Sequence, residues 1–244
     1  MNALIRRACM LAVALVAALS LQAKVYVVAV GISNYKSIND LRLPENDAKT
    51  IAAIFKTHTR NVITITGRYA TKDKITQALR DQFARAGRGD QVIFFFSGHG
   101  YEDGFCPYDM QRNGRGGLSY SEISSIFRNC KASSKIILAD ACLSGGLRKT
   151  GKQHANPKPG SNVMLFLSCR THENSIEHPT MTNGFFTTYL EQGLRGAADA
   201  NRDRSITARE LFDYVSKGVK DISRDKQHPV MWGKFKDSMC ILRW

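Results

Sequence analysis

The chain has 244 residues, 43% of them hydrophobic and 23% charged, with a formal net charge of +14. This length suits one compact domain with a full core, and the composition excludes collagen, a coiled coil and a wholly disordered chain. Lys and Arg are spread along the whole sequence, with no basic helical stripe and no basic-and-aromatic strand pair, so the charge predicts a solvated basic surface and no nucleic-acid partner.

The first element is a leader. Arg6 and Arg7 precede an apolar run from Ala8 to Leu21, and the small residues Ala18, Ser20 and Ala23 stand at its exit. As a helix this run would be about 21 Å long, short of the roughly 30 Å hydrocarbon core. The pattern predicts a signal peptide over residues 1–23 and a mature chain from near Lys24. It predicts export to a periplasm or the exterior, with no stable membrane span once the leader is removed; an uncleaved anchor is the alternative. Six cysteines occur, with no C-x-x-C spacing, so no zinc site is expected. Five lie beyond the leader, an odd number that leaves at least one thiol unpaired, and the pairing of the others stays open.

Beyond the leader, strand-like and helix-like segments alternate. Val25–Ile32, Asn61–Thr66, Val92–Ser97, Ile136–Asp140 and Val163–Ser168 read as strands. Most are apolar on both faces, as in the middle of a parallel sheet covered on each side. Helices are predicted from the spacing of Ala48, Ile51, Ala52 and Phe55, from Ile75, Leu79 and Phe83 behind an N-cap at Thr71, and over Ser119–Cys130, Phe185–Leu194 and Thr207–Val219. The alternation predicts an α/β three-layer sandwich, with a mostly parallel central sheet and helices on both faces. In such sheets chemistry collects at the carboxyl ends of the strands.

Two strand ends carry titratable side chains into glycine: Phe96-Ser97-Gly98-His99-Gly100 and Asp140-Ala141-Cys142-Leu143-Ser144-Gly145-Gly146. A thiol is a good nucleophile as thiolate, and a neighbouring imidazole favours that form. Cys142 is therefore the candidate nucleophile and His99 its base, with the backbone N–H groups of Gly100 and Cys142 as an oxyanion hole. Asp140 and Ser97 precede Cys142 and His99 by two residues and so share their strand faces. A carboxylate beside a thiolate opposes its ionisation unless it has another task, such as holding a cationic substrate group.

These residues resemble the caspase-like peptidases, in particular the metacaspase and bacterial caspase-like branch, over nearly all of Lys24 to Trp244. The resemblance rests on Val28-Ala-Val-Gly-Ile-Ser-Asn-Tyr35, on Asn46-Asp47-Ala48, on Ser97-Gly-His-Gly100, on Asp140-Ala-Cys142 with Ser144-Gly-Gly146, and on Phe185-Phe-Thr187 through Gly196. It implies a cysteine endopeptidase with a His99–Cys142 dyad, and a pocket for the substrate residue before the cut (P1) floored by Asp47 and Asp140, with Ser97 beside them. The branch with these acids cleaves after Arg or Lys, so the implied partner is a polypeptide with a basic P1 residue. Leu143 departs from the family pattern, where many relatives carry His. The competing readings are a catalytically silent caspase-like binding or scaffold module and, last, a nucleotide-binding domain, for which no G-x-G-x-x-G or Walker A loop is present.

Two loops add expectations. Leu147 to Gly160 is polar, basic and punctuated by Pro and Gly, and predicts self-cleavage after Arg148, Lys149 or Lys152, with an ordinary solvated loop as the even alternative. Asp199, Asn201, Asp203, Ser205, Thr207 and Glu210 follow the spacing of a calcium-binding EF-hand loop, but Arg204 stands where glycine makes the turn. The favoured reading is a Thr207–Glu210 capping box and no metal ligands. No cofactor is required by the chemistry, and the resemblance leaves calcium stimulation through other sites open.

Overall fold

The computed structural model of the protein describes residues 23–141, 163–170, 178 and 180–244. Residues 1–22 of the predicted leader, Cys142, Leu143 and the basic loop 147–160 lie outside the described residues.

The predicted strands form one sheet. β1 (Val25–Gly31), β2 (Val62–Thr66), β3 (Gln91–Ser97), β7 (Ser134–Asp140), β8 (Val163–Leu167) and β10 (Val230–Gly233) are ordered β10-β8-β7-β3-β1-β2. All neighbours are parallel except β10, which runs antiparallel to β8 at the edge. Short strands fill the connections: β4 (Gly100–Tyr101), β5 (Gly104–Phe105) and β6 (Leu118–Ser119) make a small sheet after β3, and β9 (Ser205–Thr207) pairs with β11 (Cys240–Arg243).

Alternation along the strands sends side chains into two separate cores. Val28, Val30, Phe94, Phe96 and Ala139 pack with α2 (Lys72–Ala84) and α3 (Tyr120–Asn129) on one face. Val27, Ala29, Phe95, Leu138 and Phe166 pack on the other face with α1 (Pro44–Lys56), α4 (Phe185–Gln192) and α5 (Ala208–Ser223). That is the expected three-layer arrangement, and it explains why the inner strands carry no polar face. Among the described residues no helix is long and apolar enough to cross a membrane.

Helix starts follow local chemistry. The Thr71 hydroxyl accepts the Lys74 N–H, and Ser119 with Glu122 makes a full capping box. Thr207 and Glu210 make another, with the Glu210 carboxylate accepting from both the N–H and the hydroxyl of Thr207. In the loop before it, Asp199 and Asp203 accept backbone N–H groups of Asp203, Arg204 and Ser205, and Arg204 adopts a positive φ of 64°. The carboxylates of this stretch thus close their own turn and cap their own helix. The helix predicted over Phe185–Leu194 ends at Gln192 and passes into a single π turn, which Gly196 leaves at φ 114°.

Among the described residues four buried side-chain hydroxyls have no hydrogen-bond partner, those of Thr64, Thr76, Tyr120 and Ser216. The Tyr120 hydroxyl is shielded, has no hydrogen-bond partner, and burial pushes its pKa well above the usual phenol value. Removing an unpartnered buried hydroxyl is close to neutral or stabilising, whereas a partnered one costs about 1 kcal/mol. Tyr120→Phe should therefore leave the urea midpoint unchanged or raised; a clear drop would show that the hydroxyl is bonded.

Candidate active site

The site is positioned by the pairing of β3 with β7. These strands are parallel neighbours, and their register sets Ser97 directly beside Asp140. The Gly98 N–H donates to the Asp140 carbonyl at 3.2 Å, and the Ile32 N–H donates to the Ser97 carbonyl at 3.1 Å, so three strand ends are tied at one rim. His99 follows Ser97 by two residues, as Cys142 follows Asp140 in the sequence. The last described residue on that strand is Ala141, buried at the same rim.

His99 is held from two sides. Its backbone N–H donates to the Tyr35 hydroxyl at 2.7 Å, and the two rings stand 5.1 Å apart at 42°. Its ring Nε2 lies 2.9 Å from the Asn39 carbonyl oxygen. A carbonyl only accepts, so this contact assigns the proton to Nε2 and leaves Nδ1 as the basic nitrogen of the neutral ring. Tyr35 is itself fixed by its N–H donating to Asp40 Oδ1 at 2.8 Å. Burial raises the Tyr35 phenol well above its ordinary pKa, so it remains a neutral hydroxyl beside the imidazole. Gly98 is required for this approach: its φ is +152°, and a Cβ there would come within 2.5 Å of the Tyr35 oxygen.

After His99 the chain enters the β4–β5 hairpin, in which Gly100 pairs with Phe105. The Cys106 N–H donates to the His99 carbonyl at 2.9 Å. That bond makes Gly100–Phe105 a non-hydrogen-bonded pair, so the ladder makes no use of the Gly100 N–H. Cys106 thereby acquires a place: its backbone closes the hairpin, and its buried thiol is pushed up to about 12. Among the described residues Cys106, Cys130 and Cys240 carry unpaired thiols.

The three predicted pocket residues come together on the α1–α4 side of the sheet. Asp47, in the first turn of α1, accepts the Ser97 hydroxyl on Oδ2 at 2.8 Å and the Gly184 N–H on Oδ1 at 3.1 Å. Asp140 accepts both the N–H and the hydroxyl of Thr187 on Oδ2, at 3.1 and 2.8 Å. Asp47, Asp140 and Ser97 are only 2%, 5% and 1% exposed, so the acids lie deep below the rim. The segment before α4 is strapped to α1. Asn46 Nδ2 donates to the Thr182 carbonyl at 2.9 Å, and the Arg42 guanidinium donates to the carbonyls of His178 and Met181.

Sequence reading missed Asn39, Tyr35, Gly184 and Thr187. Asn39 and Gly184 act through backbone atoms, which leave no side-chain signature. Tyr35 and Thr187 lie far from their partners along the chain. Among the described residues no group of three or more His, Cys, Asp or Glu side chains is arranged to hold a metal ion.

Comparison with known proteins agrees with this architecture. The family model for the caspase domain, peptidase family C14, matches residues 24–238, and the chain belongs to that family. A probable protease from a Desulfuromonadales bacterium is 28% identical over 176 residues, which cover 62% of this chain and 22% of the relative; the chain thus spans about a fifth of that protein's length. A crystal structure of a Geobacter sulfurreducens protein superposes with a TM-score of 0.68 at 17% identity, covering 90% of this chain and 97% of that one. It shares the fold.

The Tyr35 contact yields a direct check. Tyr35→Phe keeps the ring and removes the acceptor of the His99 N–H, which should lower stability by about 1–3 kcal/mol. Urea unfolding measures this, and an unchanged midpoint would mean that the bond contributes nothing net.

Proposed function

We propose that the protein is a cysteine endopeptidase that cuts peptide bonds after Arg or Lys, with Cys142 as nucleophile and His99 as base. The observation that carries this reading is the Ser97–Asp140 register, which ends both motif-bearing strands at one rim above a shared pair of buried acids.

The chemistry follows from the groups in hand. Nδ1 of His99 accepts the Cys142 proton, and the Asn39 carbonyl stabilises the imidazolium through Nε2–H. The sulfur attacks the scissile carbonyl carbon, and the negative charge on its oxygen is met by the N–H groups of Gly100 and Cys142. The imidazolium returns its proton to the departing amine, leaving a thioester. Water, losing a proton to the same imidazole, then hydrolyses the thioester and frees the thiol.

Basic P1 specificity is a charge argument. Asp47 and Asp140 receive neutral donors from Ser97, Gly184 and Thr187, which suit anionic carboxylates. A deep acidic pair calls for a long side chain with a cation at its tip, and it rejects a substrate Asp by like charge. In this structure both acids are nearly closed to solvent, so entry of that side chain requires their surroundings to part. The basic stretch Leu147–Gly160 offers Arg148, Lys149 and Lys152 as cleavage points for the enzyme itself, and the apolar run Ala8–Leu21 supports export.

Fluorogenic peptides with Arg, Lys or Asp before the bond test the reading. Arg and Lys peptides should be cleaved and the Asp peptide spared, and Cys142→Ala should abolish turnover. Asp140→Asn should lower kcat/KM on basic peptides by about 100-fold, the cost of removing one of the two carboxylates that face the buried cation. Cleavage of the Asp peptide alone would overturn the pocket assignment, and no cleavage of any peptide would favour the silent binding module. On a denaturing gel the wild type should show fragments cut in the 147–160 loop that the Cys142→Ala variant lacks; equal fragmentation of both would end the self-processing idea.

A further inference from the structure

The start of α4 has no cap of its own. Its N-cap residue is Gly184, and no side chain of the segment caps the first turn. The first N–H groups of a helix need acceptors from elsewhere. Here they come from the two acids: the Gly184 N–H donates to Asp47 at 3.1 Å, and the Thr187 N–H donates to Asp140 at 3.1 Å. The approach is close enough that a Cβ on residue 184 would sit 2.5 Å from Asp140 Oδ2. Each acid is therefore also a cap, delivered from a distant element.

Thr187 does more than supply a backbone donor. Its side chain is 0% exposed, and its hydroxyl donates to the same Oδ2 of Asp140 at 2.8 Å. Two donors converging on one oxygen from a rigid helical turn fix both the position of that oxygen and the plane of the carboxylate. The plane matters unequally to the two basic side chains. A guanidinium is a planar fork that pairs with a carboxylate in one orientation, whereas an ammonium is a point charge with rotatable donors.

We propose that Thr187 is a positioning residue that sets the Asp140 carboxylate plane and so makes the pocket prefer Arg over Lys. This rests on Asp140 being the P1 acid. Thr187 itself touches no substrate: it acts through Asp140, and through it the specificity pocket is coupled to the first turn of α4.

The test compares kcat and KM on matched Arg and Lys peptides for the full chain as wild type, Thr187→Val, Thr187→Ser and Asp140→Asn. The wild type should favour Arg. Thr187→Val keeps the shape and the backbone donor but loses the hydroxyl, and should raise KM for the Arg peptide by about fivefold or more, with kcat kept and KM for Lys changed less than about twofold. Thr187→Ser should restore the Arg preference. If Thr187→Val does not fold, Thr187→Ala, which leaves space instead of strain, must show the same loss of Arg preference. A purely structural role predicts an equal fall for both peptides; that result, or no change, overturns the proposal while Asp140→Asn still loses both substrates. Undiminished cleavage by Asp140→Asn would instead show that the pocket reading beneath it is wrong.

Discussion

The parallel pairing of β3 with β7 is the constraint on which the site depends. Backbone bonds between two buried strands set Ser97 beside Asp140, and the Gly98 N–H bond to the Asp140 carbonyl continues the tie to the last residue before His99. No side chain of the reaction takes part in this registration. A slip of one residue would turn Ser97 and Asp140 toward the opposite core and separate them from α1 and α4. The two cores of the sandwich, one on each face, make such a slip prohibitive, because it would exchange every side chain between them.

The rim shows a division of labour between backbone and side chain. The imidazole is aimed by a carbonyl, Asn39, and by a neutral phenol, Tyr35, neither of which adds charge near the basic nitrogen. The acids are held by hydroxyl and amide donors from Ser97, Gly184 and Thr187. All of these orienting partners are neutral groups. The straps from Arg42 to His178 and Met181 and from Asn46 to Thr182 extend the scheme by tying the approach to α4 onto the start of α1.

The candidate site therefore depends on loops as much as on the sheet. The β1–α1 connection carries Tyr35 and Asn39, the β3 exit carries His99 and Gly100, and the approach to α4 carries Gly184. Only His99 among them is a residue type that advertises catalysis. The caspase-domain family contributes the expectation of peptide hydrolysis, and the arrangement of hydrogen bonds in this chain gives that expectation specific atoms.

Much of the architecture was legible in the amino-acid sequence, because it follows from local rules. Short apolar runs such as Val92–Phe96, of strand length and rich in aromatic and β-branched residues, read as inner strands, helical spacing at Ile75, Leu79 and Phe83 marks an amphipathic face, and Thr71 and Ser119 announce helix starts. Strands of two to four residues, such as β4, β9 and β11, carry too few residues to show a period and emerged only from pairing. His99 and Asp140 stood out as titratable groups at strand ends, Ser97 followed from its spacing to His99, and Asp47 came only from the family resemblance. Which atoms orient them was decided by tertiary structure alone. Tyr35, Asn39, Gly184 and Thr187 meet their partners across long stretches of chain through backbone groups and common hydroxyls, and contacts of that kind exist only once the sheet has brought its ends together.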